Sequence, residues 1–195
     1  ARAADLARPA ARHGARSNAA LWVTPGSEQV HLTITRDGQL ADLEAIGGTV
    51  LANACGPCIG QWKRDDVPEG EANSIISSYN RNFRRRNDGR AETLSFIASP
   101  EIVTALAIAG KLSFNPLTDS LTGSDGKAFM FEPPKVAPEV PSEGFTRGRS
   151  AYVAPPEDGS AITLEVAPDS ERIQLMQPWP AWDGNDFKDM PVLIK

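Results

Sequence analysis

Cysteine is nearly absent from the sequence, and its two cysteines, Cys55 and Cys58, are separated by two residues. So few cysteines exclude a disulfide-dense secreted scaffold, and the C-x-x-C spacing is typical of redox or metal sites in reducing compartments. Histidine is equally scarce, and neither His13 nor His31 lies in a cluster of potential metal ligands. The cysteine pair is therefore the sharpest local signal in the chain.

The sequence also lacks long apolar runs and an excess of positive charge. Its apolar runs are far shorter than the roughly 20 residues that a membrane-spanning helix needs. The 20 Lys and Arg residues stand against 25 Asp and Glu residues, which gives a formal net charge of −5. This balance argues against a general nucleic-acid or anionic-membrane binder. We therefore expect no nucleic acid and no membrane among the partners.

The residues that are present predict a globular α/β chain in two parts. Of the 195 residues, 41% are hydrophobic, which is enough for a sizeable core, and 16 glycines and 16 prolines indicate many loops. The amino-acid composition changes near Asn115, where Pro, Gly, Asp and Ser become frequent. We predict a mostly parallel sheet with flanking helices over residues 1–114, followed by an irregular connector with short strands over 115–195.

Helix and strand signals alternate in the first part. The clearest helix begins after Ser99 as N-cap, has Pro100 in its first turn and ends at Gly110. Ser27 is a second N-cap candidate, although Val30, Leu32 and Ile34 also alternate as in a strand, and we favour helix there. Further helices are predicted over 2–13 and 40–46, and strands over 19–23, 49–52 and 74–78.

Six prolines between Pro133 and Pro156 stiffen the second part and prevent long helices. Short apolar pieces interrupt it. They predict strands at 128–131, 172–176 and 192–194, which would pin the connector to a surface.

The tetrapeptide Cys55-Gly56-Pro57-Cys58 has three interpretations: a thioredoxin-type dithiol, a pair of metal or iron–sulfur ligands, or two inert buried thiols. Thioredoxins carry Trp before the first cysteine and a basic residue soon after the second. Here Ala54 precedes the pair and Ile59-Gly60 follows it, which weakens the dithiol interpretation. A metal centre needs three or four protein ligands, so a site at this pair would require a ligand from outside the chain.

The segment from Ser78 to Arg90 is strongly basic, with five arginines against the single acid Asp88. One interpretation is a solvated surface loop. Another is a cradle for a polyanion, because guanidinium groups bind carboxylates and phosphates through paired, charge-assisted hydrogen bonds. Nucleic acid is less favoured, since only Tyr79 and Phe83 could stack on bases.

Several segments together resemble the aconitase family, mitochondrial type. The longest runs from Gly47 to Trp62 and reads GGTVLANACGPCIGQW, and a second reads SYNRNF from Ser78 to Phe83. The others are TPGSEQ at 24–29, SPEIV at 99–103, LSFNP at 112–116 and WDG at 182–184. An ordered series of this kind covers nearly the whole chain and is far more specific than C-x-x-C.

The resemblance implies part of an aconitate hydratase, a hydro-lyase that interconverts citrate and isocitrate through cis-aconitate at a 4Fe-4S cluster. Cys55 and Cys58 match two of the three cluster ligands. Arg81 and Arg86 match arginines that clamp substrate carboxylates, and Asn80 matches an asparagine beside the cluster. The family also places the protein in the mitochondrial matrix, with the cytosol as the alternative.

The family's other functional groups are expected outside this chain. The third cysteine lies in a Cys-Thr-Asn-Ser segment and the serine base in a C-terminal swivelling domain, so no catalytic residue is assigned here. The resemblance implies the second half of the third domain, with the connector to the fourth, and the remaining aconitase domains as partners.

Four residues depart from the family pattern. Arg84-Arg85 replace a usual Thr-Gly, Leu94 replaces a usual histidine, and Pro9 lies in a helix that is usually unbroken. These departures would suit a non-catalytic, aconitase-like interaction module, which is the second hypothesis. A dithiol oxidoreductase is the third.

Overall fold

The computed structural model describes residues 1–53, 57–148, 153–186 and 188–191. The chain divides into two compact units, Ala1–Ser150 and Ala151–Lys195. The domain boundary predicted at residue 114 stays a prediction.

Four helices form among the described residues of the first unit: α1 (Arg2–Arg12), α2 (Glu28–Arg36), α3 (Gln39–Ala45) and α4 (Pro100–Ala109). The ambiguous segment after Ser27 is helical, as favoured from the sequence, because the Ser27 hydroxyl accepts a hydrogen bond from the Val30 amide at 3.1 Å. Helix α4 ends where Gly110 adopts a φ of 72°, as its sequence predicts. Helix α1 continues through Pro9.

The described strands form three separate two-stranded sheets. Strand β1 (Trp22–Val23) pairs in parallel with β2 (Thr49–Val50), and β3 (Asn73–Ser77) pairs in parallel with β4 (Thr93–Ile97). An antiparallel pair follows, β5 (Leu121–Thr122) with β6 (Ala128–Phe129). The α/β class with mainly parallel pairing is confirmed, whereas β4 and β5 were not predicted from the sequence.

The core lies where α1 packs against both α3 and α4. Alanines at the contact, Ala7, Ala10 and Ala105, are completely buried and leave room for the helices to approach closely. Phe129 and Phe131 reach the same core and meet each other edge to face, with ring centroids 5.7 Å apart. The predicted strand at 128–131 is thus present in part, and it packs on the helical core.

The second unit contains no helix or strand among residues 153–186 and 188–191. The strand predicted at 172–176 is wrong, because Ile173, Leu175 and Met176 are largely exposed and pair with no neighbouring edge. The strand predicted at 192–194 lies outside the described residues. Over the described part of the chain, no helix is long and apolar enough to cross a membrane.

Candidate functional site

The cysteine turn, which we define as residues 57–60, follows the carboxyl end of β2. Pro57–Ile59 form a single 3-10 turn in which Pro57 is buried and Cys58 is half-buried. Cys55, the other predicted ligand, lies outside the described residues. Gly60 closes the turn with a φ of 81°, a conformation that glycine adopts without strain.

The arginine-rich loop, residues 78–90, follows the carboxyl end of β3 and leads to β4. The arginine-rich loop thus begins directly where a strand of a parallel pair ends, and the cysteine turn comes after β2 with residues 51–56 between them. Ligands of parallel α/β sheets bind at these carboxyl ends, where the loops are free to vary.

The structure brings the two loops into contact. The side-chain amide of Asn87 donates a hydrogen bond to the carbonyl of Pro57 at 3.2 Å, and this bond is buried. On the other side of the turn, a β-carbon added to Gly60 would lie 2.8 Å from the carbonyl oxygen of Arg86. Residues 86–87 thus rest directly on the turn that carries Cys58.

The five arginines of the loop have different surroundings. Arg84 donates to the carbonyl of Ala91 at 3.0 Å, and Arg90 donates to the carbonyls of Val67 and Arg64 at 2.5 and 2.6 Å. These two side chains hold the loop to its neighbours. Arg81, Arg85 and Arg86 therefore remain as candidates for binding a polyanion.

Arg86 is the candidate nearest to the cysteine turn. Its guanidinium lies 5.2 Å from the ring centroid of Phe83, and its Nε is buried with no hydrogen-bond partner in the part of the chain that the structure describes. Arg81 is exposed and makes no side-chain hydrogen bond or ion pair with a described residue. Both guanidinium groups retain donors for an anionic ligand.

Asn80 is also exposed and, within the described residues, makes no side-chain hydrogen bond. Its neighbour Tyr79 places a hydroxyl 3.5 Å from Thr24 Oγ1, at the carboxyl end of β1. The loop thus approaches the ends of β1 and β3 together.

A buried polar network, which the sequence did not reveal, fixes the end of the loop. Asp88 Oδ2 accepts from Thr93 Oγ1 at 2.7 Å and lies 3.6 Å from Arg64 Nη1. The Asp88 side chain is only 1% exposed and that of Arg64 9%. Hydrogen bonding to Asp66 raises the pKa of Arg64, so its charge is retained opposite Asp88. The one sign of this network in the sequence was the single acid, Asp88, among five arginines.

A cavity of about 440 Å³ lies beneath the two loops, between β1, β3 and α4. Pro57, Tyr79 and Asn87 line it, but Cys58, Arg81 and Arg86 do not. Among the described residues, these three predicted ligand groups therefore do not open into this cavity.

Within the described residues, no group of three or more His, Cys, Asp or Glu side chains is close enough to hold a metal ion. His13, which the sequence placed outside any ligand cluster, lies 3.1 Å from Asp125 and stacks on Phe129 with ring centroids 4.8 Å apart. That histidine joins α1 to the β5–β6 hairpin.

Comparison with known proteins gives a consistent result along the chain. The model of the aconitase family (aconitate hydratase) matches residues 1–110. The mitochondrial aconitate hydratases of Saccharomyces cerevisiae and Arthroderma benhamiae are each 55% identical over 194 residues, and that of Gracilaria gracilis is 54% identical over 195. Each match covers 100% of this chain and 25% of the relative. The chain thus spans about a quarter of the length of these relatives.

Proposed function

The chain belongs to the aconitase family, and on that premise we propose that it forms part of the active site of an aconitate hydratase. The reaction would be the interconversion of citrate and isocitrate through cis-aconitate. The observation that carries the proposal is the contact of the arginine-rich loop with the cysteine turn, through Asn87 and Pro57. This contact supports the proposal because the proposed metal ligand Cys58 and the proposed carboxylate-binding Arg86 lie on the two loops that it joins.

The donor set suits a 4Fe-4S cluster. Thiolates are the ligands that iron–sulfur clusters require, and Cys55 and Cys58 would supply two of them. The chain has no other cysteine, so we propose that the third ligand comes from outside it. When bound, the cluster would supply a Lewis acid for the substrate hydroxyl and carboxylate.

Arg81 and Arg86 would bind substrate carboxylates. A planar guanidinium offers two parallel N–H donors to a carboxylate, and the buried Nε of Arg86 has no partner in the described residues that would compete. Asn80 would orient the substrate beside the cluster, since its exposed amide can donate and accept. These residues bind and orient the substrate, while proton transfer is left to groups outside the chain.

The division of labour follows from this assignment. Residues 1–114 would be the second half of an aconitase third domain, and 115–195 the connector toward a swivelling domain. The remaining aconitase domains would then be the partners that complete the site. Because the relatives are named mitochondrial, we propose the mitochondrial matrix as the location.

The test is iron and acid-labile sulfide analysis of the full-length protein, purified without oxygen, together with its hydration of cis-aconitate. We expect wild type to hold a cluster and Cys58→Ser to lose both cluster and activity, because a serine oxygen replaces the soft thiolate. Ser113→Ala is the matched control, since Ser113 is exposed and makes no side-chain hydrogen bond with a described residue.

Two results would contradict the proposal. A cluster and an activity that survive in Cys58→Ser would remove Cys58 from the ligand set. A wild-type protein without iron and sulfide would favour the interaction-module hypothesis instead.

A further inference from the structure

Asn87 is an unusual polar residue because it is almost completely buried. It is 2% exposed, and its amide nitrogen donates to the carbonyl of Pro57. Its Oδ1 is buried with no partner among the described residues. A hydrophobic side chain would avoid the desolvation of that oxygen, so the residue requires another explanation than core packing.

The partner of Asn87 belongs to the cysteine turn. The donated hydrogen bond fixes the carbonyl of Pro57, the residue directly before Cys58. Gly60 meets the carbonyl of Arg86 closely enough to leave no space for a β-carbon. Two adjacent loop residues therefore contact the two ends of one short turn.

The residue after Asn87 is anchored independently. Both carboxylate oxygens of Asp88 accept hydrogen bonds, one from Thr93 of β4 at 2.7 Å and one from the Arg90 amide at 3.0 Å. Asn87 thus lies between a fixed point on the sheet and the cysteine turn. Asn87 therefore fixes the position of that turn relative to the sheet.

We propose that Asn87 is a positioning residue that fixes the Cys58 turn against the arginine-rich loop. The hydrogen bond to Pro57 holds the turn that carries Cys58 against the loop that carries Arg86, so that both side chains could act on one ligand. The identity of that ligand rests on the proposed function, whereas the seating of the turn does not.

The first experiment measures the turn itself. In the full-length protein, freed of metal and reduced, the alkylation rate of Cys58 by iodoacetamide is followed by peptide mass spectrometry. Asn87→Asp removes the donor and sets a carboxylate against the Pro57 carbonyl, so we expect the rate to rise about tenfold. Asn82→Asp is the matched control, because it adds the same charge to the same loop at an exposed amide that also donates to a backbone carbonyl.

The second experiment separates positioning from a general loss of stability. In the metal-loaded protein we expect Asn87→Asp to raise KM for cis-aconitate about tenfold, with a smaller change in kcat. The reason is that the Arg86 guanidinium, which would bind the substrate carboxylate, is displaced. Asn82→Asp adds the same charge without touching the cysteine turn, so it should raise KM less than Asn87→Asp, and only the excess is assigned to positioning. If Asn87→Asp does not fold by circular dichroism, Asn87→Ser and Asn87→Ala replace it, and only the serine retains a donor.

The outcomes distinguish the two proposals. If Cys58 is alkylated equally in Asn87→Asp and Asn82→Asp, or equally in the serine and alanine variants, the positioning role is overturned. If the rates separate but wild type does not hydrate cis-aconitate, the positioning role stands and the proposed activity fails.

Discussion

The arginines of the loop show how one residue type takes several roles within ten positions. Arg84 and Arg90 bind backbone carbonyls, Arg86 lies over Phe83, and Arg85 occupies the left-handed region with a φ of 67°. A β-carbon is disfavoured in that region by roughly 1–2 kcal/mol. The family resemblance places glycine at Arg85, which is the residue that this conformation favours.

Replacing Arg85 should therefore separate backbone strain from charge. We expect Arg85→Gly to raise the free energy of unfolding by up to about 1 kcal/mol, because relief of strain exceeds the added chain entropy. Arg85→Ala removes the same charge and keeps the β-carbon, so it should show no such gain. Urea unfolding of both variants checks this, and an equal gain in the two would attribute the effect to charge.

At the scale of elements, the parallel pair β3–β4 depends on polar contacts as well as on apolar ones. Asn73 of β3 donates to Thr93 of β4 at 3.1 Å, and Arg64 donates to Asn73 at 2.7 Å. Asp88 completes this network opposite Arg64. Burial strengthens each of these contacts and makes the loss of a partner costly.

Asp88→Asn should lower the free energy of unfolding by about 3 kcal/mol, the lower end of the range for removing one partner of a buried ion pair. The lower end applies because Arg64 keeps Asp66 at 2.8 Å. Asp66→Asn is the control on the same arginine, and as a more exposed partner it should cost less than about 1 kcal/mol. Guanidinium unfolding of the two variants measures the difference, and equal losses would contradict the role given to burial.

The same scale shows what the sequence could predict. All four helices were predicted, but the signals agree fully only at α4, which starts after Ser99 and Pro100 and stops at Gly110. At α2 the Ser27 cap competed with a strand-like alternation, and α1 and α3 begin without a side-chain cap. Strand β4 was not predictable, because its burial runs against its hydrophobicity: Thr93 is 3% exposed while Leu94 is 58% exposed. The site divides similarly. Cys58 and the arginines follow from motif and composition, whereas Asn87 and Asp88 owe their roles to contacts distant in sequence.

Over the whole molecule, the two compact units differ in what they bury. The first has a continuous core of helices and phenylalanines. In the second, the largest apolar side chains stay exposed, with Trp179 at 80% and Trp182 at 70%. Burial of apolar surface is the main driving force for folding, so the stability of the chain resides in the first unit.

Surface carboxylates of the first unit give the molecule a predictable acid response. Hydrogen bonds from Arg36 and Arg64 lower the pKa of Asp37 and Asp66, and a backbone amide with His13 lowers that of Asp125. A carboxyl whose pKa is lower in the folded state stabilises the fold at a pH above its unfolded-state pKa, which is about 3.9 for Asp. It loses this contribution as the pH falls through its folded-state pKa.

We therefore expect Tm to be nearly constant between about pH 5 and 7 and to fall below about pH 4. Added salt should weaken the fall, because these groups are exposed and screened. Calorimetry across this range checks the prediction, with Asp66→Asn expected to show a shallower decline. A Tm that rises on acidification would contradict it.

The connection between β3 and β4 has an evolutionary consequence. Parallel strands need a crossover of about a dozen residues or more, and most folds use a helix for it. Here residues 78–92 form the crossover without a described helix, so the arginine-rich loop is itself the link that allows the strands to pair. Deletions within this loop would shorten the link on which the topology depends. We therefore expect the loop to tolerate substitutions, such as the paired arginines at 84 and 85, better than changes in its length.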